Sequence, residues 1–217
     1  MVYVILNAFL FGVLIWFSSF ADVHSDATRS RQLISPILLL AVVALMNALS
    51  VLFFIWGNSQ IANLCGKVYM LLIAYFQVLV TSYVCRFPKC KKGPLNTIFL
   101  VIFLALAFYI VFTKVDTVYT NIQEGLCVTA EKFPYFGIEW DEVYECIYIF
   151  FFPIVSVLSL LLRIEITKNK LYKQQMFLMI FIVILGWFAL FAFGLIGDMV
   201  ISAFDLLMPF ACAFEIY

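Results

Sequence analysis

The chain has 217 residues, of which 66% are apolar and only 12% are charged. A soluble domain has about half apolar and about a quarter charged residues, so this composition argues against a water-soluble globular domain and favours helices in lipid. The 13 basic and 13 acidic residues cancel. The balance gives no indication of a nucleic-acid partner, and we expect none.

Seven segments are long and apolar enough to cross a bilayer. A helix needs about 20 mostly apolar residues to cross a hydrocarbon core of roughly 30 Å. The segments comprise residues 2–20, 33–56, 61–85, 95–113, 146–162, 176–193 and 199–217. The sequence therefore predicts an all-α fold: a single seven-helix transmembrane domain over residues 1–217, with the lipid bilayer as its surroundings.

The basic residues predict the orientation, because Lys and Arg collect in cytoplasmic loops. The first, third and fifth loops hold most of them: Arg29, Arg31, Arg86, Lys89, Lys91, Lys92, Arg163, Lys168, Lys170 and Lys173. We expect the N-terminus outside and the C-terminus in the cytoplasm of a multi-pass cell-membrane protein, in the inner membrane if the cell has two. A cleaved signal peptide over residues 2–20 is the alternative, but it would move the basic loops outside.

The only long predicted loop, residues 114–145, lies on the outer side. It contains seven acidic residues, two lysines and several aromatic rings. One interpretation is a folded lid whose rings lie at the membrane surface. The other is that Tyr135, Phe136 and Trp140 roof a ligand pocket, because long ordered loops are often functional.

Three cysteines, Cys65, Cys127 and Cys146, fall on the predicted outer side. An oxidising compartment permits a disulfide there. We predict a bridge from Cys127 to either Cys146 or Cys65, and the sequence does not choose between them.

Two ionisable residues lie at similar depth in predicted spans, Lys67 in the third and Asp205 in the seventh. A charge at mid-bilayer costs roughly 2.5–3.5 kcal/mol, so each requires a partner or a cavity. They could form a structural ion pair that fixes helix register, or they could border a wet ligand-binding cavity. Gln77 lies on the same stripe of the third span as Lys67, together with Met70, Ala74, Thr81 and Cys85.

Motifs of known enzyme chemistry are missing from the sequence. His24 is the only histidine, and there is no Gly-rich phosphate loop, HExxH or GxSxG. We therefore predict no catalytic residues, no metal and no cofactor, and we expect that the chain is not itself an enzyme.

Two short motifs point to a family. Residues 171–175 form a Tyr-basic-Gln run before the sixth span, and residues 205–209 read Asp-Leu-Leu-Met-Pro. The chain resembles the N-terminal seven-transmembrane sensor region of bacterial histidine kinases and diguanylate cyclases, whose Asp-Leu-x-Pro pattern is one residue shorter. The resemblance implies a sensor or receptor in a two-component-type signalling system, with an unknown small-molecule ligand and possible homodimerisation. It also implies a cytoplasmic kinase or cyclase output, in a domain beyond Tyr217 or in a separate partner.

Two other functions fit seven spans in a chain of this length. A small three-plus-one-plus-three transporter would show parallel repeats, but spans one to three share no motif with spans five to seven. A non-catalytic membrane subunit would bind no ligand and move no substrate.

Overall fold

The computed structural model describes residues 2–24, 27–85, 94–121, 125–130 and 143–196. Its helices are α1 (Val2–His24), α2 (Ala27–Ile55), α3 (Ser59–Val84), α4 (Pro94–Tyr109), α5 (Phe152–Ile166) and α6 (Lys170–Ile196). Two π-helical segments extend them: π1 (Ile110–Lys114) follows α4, and π2 (Glu145–Phe151) precedes α5.

The helical class predicted from the sequence is confirmed, and a helix covers each of the first six predicted spans. Within the described ranges, three helices are long and apolar enough to cross a membrane: Ile37–Ile55, Ser59–Ser82 and Cys146–Ile166. Asn7–Trp16 and Thr97–Thr113 are shorter apolar helices. The seventh predicted span, residues 199–217, lies outside the described residues. The count of seven and the orientation therefore stay predictions.

A β-hairpin adds to the helical fold. Strands β1 (Val115–Asn121) and β2 (Gly125–Ala130) pair antiparallel, with Val115 opposite Ala130 and Val118 opposite Cys127. This segment was predicted only as a loop, so its two strands are a difference from the prediction. Val and Thr recur in both strands and favour extended backbone, because their branched Cβ restricts χ1. β1 lies against α3, so the hairpin rests on the helical bundle.

The turn between α2 and α3 is specified locally. The Gly57 N–H donates to the Phe54 carbonyl and the Asn58 N–H donates to the Phe53 carbonyl, both at 2.9 Å, which is the Schellman pattern of a helix end. Gly57 has φ +80°, a conformation that glycine adopts without steric cost. The Asn58 side chain then accepts from the Ile61 N–H at 3.3 Å and caps α3. One three-residue stretch therefore ends one helix and begins the next.

The buried residues form two clusters. The aliphatic cluster joins α1, α2, α3, α5 and α6, and consists of Leu10, Leu14, Ile37, Leu40, Ala41, Ala44, Phe76, Val80, Val84, Leu160, Ile164, Met176 and Ile180. The aromatic cluster joins α2, α3, α4, the first residue of α5 and both π segments, and consists of Val43, Tyr69, Met70, Ala74, Val78, Ala107, Ile110, Val111, Tyr144, Tyr148 and Phe152. Helices α2, α3 and α5 contribute to both clusters. Helix α3 also packs against α2, α4, α5, β1 and both π segments, and is therefore the central helix of the described bundle.

Candidate functional site

Polar contacts connect α3 with π2 and α5 at three levels. The Tyr144 hydroxyl donates to the Met70 carbonyl, Ser156 hydrogen-bonds with Thr81, and the Arg163 guanidinium donates to the Cys85 carbonyl. The partners follow the same order along both segments, so α3 and π2–α5 run parallel. We call this set of contacts the α3–α5 seam. It extends from the end of the bundle next to the hairpin to the turn between α5 and α6.

The hairpin end of the seam is aromatic. Tyr144 and Tyr148 are buried, and a buried phenol requires a hydrogen-bond acceptor. The Tyr148 hydroxyl donates to the Phe103 carbonyl of α4 at 2.6 Å. The Tyr144 and Tyr148 ring centroids are 4.9 Å apart, and Tyr148 stacks on Phe152 at 5.7 Å. π2 is therefore attached to α3 by one phenol and to α4 by the next.

The middle of the seam is a pair of hydroxyls. Ser156 Oγ lies 3.2 Å from Thr81 Oγ1 and 2.9 Å from the Phe152 carbonyl oxygen, and both side chains are buried. A serine hydroxyl has one proton. The arrangement is satisfied when Ser156 donates to Phe152 within its own helix and Thr81 donates across to Ser156.

The far end of the seam is charged. Arg163 is half-buried and donates to the carbonyl of Cys85, the residue that follows α3. The last carbonyls of a helix have no partner within the helix and carry the negative end of its dipole. A guanidinium at this position therefore satisfies an orphan acceptor and places a positive charge where the dipole favours it.

A second set of polar contacts joins α1, α2 and α3. The Asn47 side-chain amide donates to Asn7 Oδ1 at 3.4 Å, and the Ser50 hydroxyl donates to the Ala62 carbonyl at 3.1 Å. Asn7, Asn47 and Ser50 are all buried. Buried polar groups need such partners, because an unsatisfied one costs about 1–3 kcal/mol.

The stripe predicted on α3 faces the interior. Met70, Ala74, Gln77 and Thr81 are buried, with Gln77 only 6% exposed. Gln77 therefore lies on the face that carries the α3–α5 seam, between the Met70 and Thr81 levels. Lys67 is half-buried and makes interactions of its own.

The other predicted ligand residues, Tyr135, Phe136, Trp140 and Asp205, lie outside the described residues. The proposed Lys67–Asp205 ion pair and the roofed pocket therefore stay predictions. In the part of the chain that the structure describes, no group of three or more His, Cys, Asp or Glu side chains could hold a metal ion.

The disulfide predicted at Cys127 is not present in this structure and stays a prediction. Cys65 and Cys146 are both free thiols, half-buried on α3 and exposed on π2 respectively. Cys127 belongs to β2, where the strand register places it opposite Val118. The topology predicted from the sequence did not include the hairpin, and the position of Cys127 depends on that hairpin.

Contacts that were not predicted from the sequence involve Tyr144, Tyr148, Ser156 and Arg163, the last of which was assigned only to a cytoplasmic loop. A signal was present, because residues 144, 148, 152 and 156 follow a spacing of four, which marks one face of a helix. The π-helical winding of π2 was not visible in that spacing. Pro153, the second residue of α5, has no N–H to donate, and the winding changes from π to α immediately before it.

The described residues thus define a helical bundle with three helices of membrane-crossing length and a polar seam along its central helix. No family model matches the chain, and no curated protein matches it.

Proposed function

We propose that the chain is the membrane-embedded sensor module of a bacterial signalling protein. It takes up an extracytoplasmic or intramembrane ligand and passes a conformational signal to a cytoplasmic kinase or cyclase, whether in the same polypeptide or in a partner. The observation that carries the proposal is the α3–α5 seam. Its contacts link the hairpin end of the bundle to the basic α5–α6 turn, so a displacement at one end has a physical route to the other.

The π segments supply the movable part of this proposal. π-helical turns are rare and are found frequently at functional sites. π1 and π2 lie on either side of the segment that contains the hairpin and Tyr135, Phe136 and Trp140. A ligand held by these aromatic rings, with Lys67, Gln77 and Asp205 nearby in the membrane, would bias the winding of π2.

The energy required is small. A ligand that binds one of two conformations more tightly by about 1.4 kcal/mol shifts their ratio tenfold. The Tyr144–Met70 and Tyr148–Phe103 hydrogen bonds each contribute on the order of 1 kcal/mol. A ligand that breaks or forms one such hydrogen bond would therefore change the ratio of the two conformations enough to be measured at Arg163.

The proposal is tested by perturbing one end of the seam and observing the other. The reporter is the alkylation rate of Cys85 by a maleimide, in a chain whose other cysteines are changed to serine. Tyr144→Phe should change this rate about fivefold, which corresponds to roughly 1 kcal/mol. The matched control is Tyr75→Phe, at a half-buried tyrosine of α3 outside the seam. Equal rates for both variants would contradict transmission along the seam.

Ligand binding and transport separate the functional classes. Trp140→Ala and Asp205→Ala should each weaken ligand binding to the purified bundle, and unchanged binding in both would exclude the proposed pocket. A sensor should move no substrate into proteoliposomes. Accumulation of a solute would instead assign the chain to the small transporters, whereas absence of both binding and uptake would indicate a non-catalytic subunit.

A further inference from the structure

The α5–α6 turn concentrates positive charge. Residues 163–175 include Arg163, Lys168, Lys170 and Lys173 but only one acidic residue, Glu165. Thr167 adopts an extended conformation with φ −79° and ψ 122°, which ends α5 and leaves a short turn before α6. Lys168 and Lys170 are exposed and Lys173 is half-buried. We call these three lysines the basic patch.

Helix stability does not account for the basic patch. Arg163 is used inside the bundle, where it donates to the Cys85 carbonyl. Lys170 and Lys173 instead lie in the first turn of α6, which contains no acidic residue. The helix dipole disfavours cations at that end. The three lysines therefore carry a local electrostatic cost for α6 that an external anion would offset.

Exposed apolar side chains adjoin the basic patch. Leu162, Ile166 and Leu171 are 64%, 81% and 60% exposed, and Phe177 on the next turns of α6 is 55% exposed. Apolar surface next to long cationic side chains is amphiphilic. Lys extends its ammonium group to the polar level of a bilayer while its stem lies on apolar surface.

We propose that the basic patch binds the headgroup phosphate of an anionic phospholipid, with the acyl chains against Ile166 and Leu171. Charge complementarity selects the anionic lipid, since a zwitterionic headgroup offers no net charge to three lysines. Lys170 and Lys173 are three residues apart on α6 and lie on one face, so both ammonium groups can reach the same headgroup. This inference rests on the proposed membrane location and goes beyond it by naming a lipid class and a site.

The test uses the purified full chain in a neutral detergent. The probes are short-chain phosphatidylglycerol, short-chain phosphatidylcholine and inorganic phosphate, and native mass spectrometry measures bound lipid. Each lysine near an anionic surface contributes about 1 kcal/mol, which is about fivefold in affinity. We expect phosphatidylglycerol to bind at least about fivefold more tightly than phosphatidylcholine, and the triple variant K168Q/K170Q/K173Q to lose this preference.

The control variant is K114Q/K132Q, which removes lysines that lie outside the patch in sequence. It should retain the preference for phosphatidylglycerol. The proposal is overturned by equal binding of the two lipids to the unmodified chain, by a preference that survives in the triple variant, or by an equal loss in the control. Inorganic phosphate that displaces phosphatidylglycerol at equimolar concentration would show a phosphate site and would also overturn it.

A separate measurement distinguishes failure of this inference from failure of the proposed function. The chain is reconstituted in phosphatidylcholine vesicles and washed at alkaline pH. A chain that is washed off contradicts the membrane location and both proposals. A chain that stays in the vesicles but shows no preference for phosphatidylglycerol contradicts only the lipid site.

Discussion

The two buried clusters are built by different chemistry. The aliphatic cluster joins five helices almost entirely through Leu, Ile, Val, Ala and Met side chains. The aromatic cluster contains three tyrosines and a phenylalanine, and at least two of the phenols bond backbone carbonyls of neighbouring helices. Helix winding is regular in the first cluster, whereas both π segments contribute to the second.

Helix α3 is held by close packing in the aliphatic cluster and by hydrogen bonds in the aromatic cluster. In lipid, apolar side chains gain little by leaving the solvent, so close packing and interhelical hydrogen bonds hold helices together. The aliphatic cluster depends on shape and resists any change of volume. The aromatic cluster depends on two directional hydrogen bonds and a π segment. We infer that the aliphatic cluster is the fixed part of the bundle and the aromatic cluster the adjustable part.

The largest expected effect tests the fixed part. Leu160 is 0% exposed in the aliphatic cluster, whereas Leu158 on the same helix is 54% exposed. Leu160→Ala should lower the free energy of unfolding by about 2–4 kcal/mol, because it leaves a cavity among side chains that cannot close it. Leu158→Ala should change it by less than about 0.5 kcal/mol. Unfolding in detergent would measure both, and similar losses would contradict the packing of α5.

A smaller effect tests the adjustable part. Tyr148→Phe removes the hydroxyl that donates to the Phe103 carbonyl but keeps the ring. We expect a loss of about 1 kcal/mol in the free energy of unfolding, the usual net contribution of one hydrogen bond. Tyr75→Phe is the matched control and should be nearly neutral. If Tyr148→Phe and the unmodified chain had the same free energy of unfolding, ring packing alone would hold π2 in place.

The next effect concerns the polar contact between α1 and α2. Asn7 and Asn47 bond each other at 3.4 Å, and both are buried. Interhelical side-chain bonds in membranes average about 0.6 kcal/mol. A double-mutant cycle with Asn7→Ala and Asn47→Ala should give a coupling energy near that value. A coupling energy of zero would mean that the two amides find equally good partners elsewhere.

The smallest effect is expected at the junction of the two clusters. Ser156→Ala removes the acceptor of the Thr81 hydroxyl, but Thr81 can bond a carbonyl of its own helix instead. We therefore expect a loss of only about 0.5 kcal/mol. Combining it with Thr81→Val should cost no more than either change alone, because both remove the same bond. If the two losses in the free energy of unfolding were fully additive, the two hydroxyls would not interact, and the seam would have no polar contact at its middle.

Much of the fold followed from local sequence. Apolar runs of sufficient length predicted the first six helices, because backbone groups in an apolar environment must be satisfied within the segment. Met70, Ala74, Gln77 and Thr81 were predicted to lie on one stripe of the third span, and all four are buried. The Gly57–Asn58 pair supplies a helix end and a helix cap within the same turn. These features depend on spacing and residue type alone.

The candidate site was predicted only in part. Gln77 was identified because a polar residue inside an apolar run is conspicuous, and Lys67 for the same reason. Tyr144 and Tyr148 were missed because aromatic residues are common throughout this chain, so their spacing of four did not stand out. The hairpin was missed because six- and seven-residue strands in a loop have no long-range periodicity.

The sequence by itself determined that the chain forms long apolar helices, the approximate position of each of the first six, and where positive charge collects. Only the tertiary structure decided that α3 lies at the centre and packs directly against π2 and α5, and that phenols and a guanidinium join them. The reason is physical. Apart from the stripe on α3, these helices carry apolar side chains on almost every side, so their sequences do not distinguish the face that meets a neighbour from the face that meets lipid.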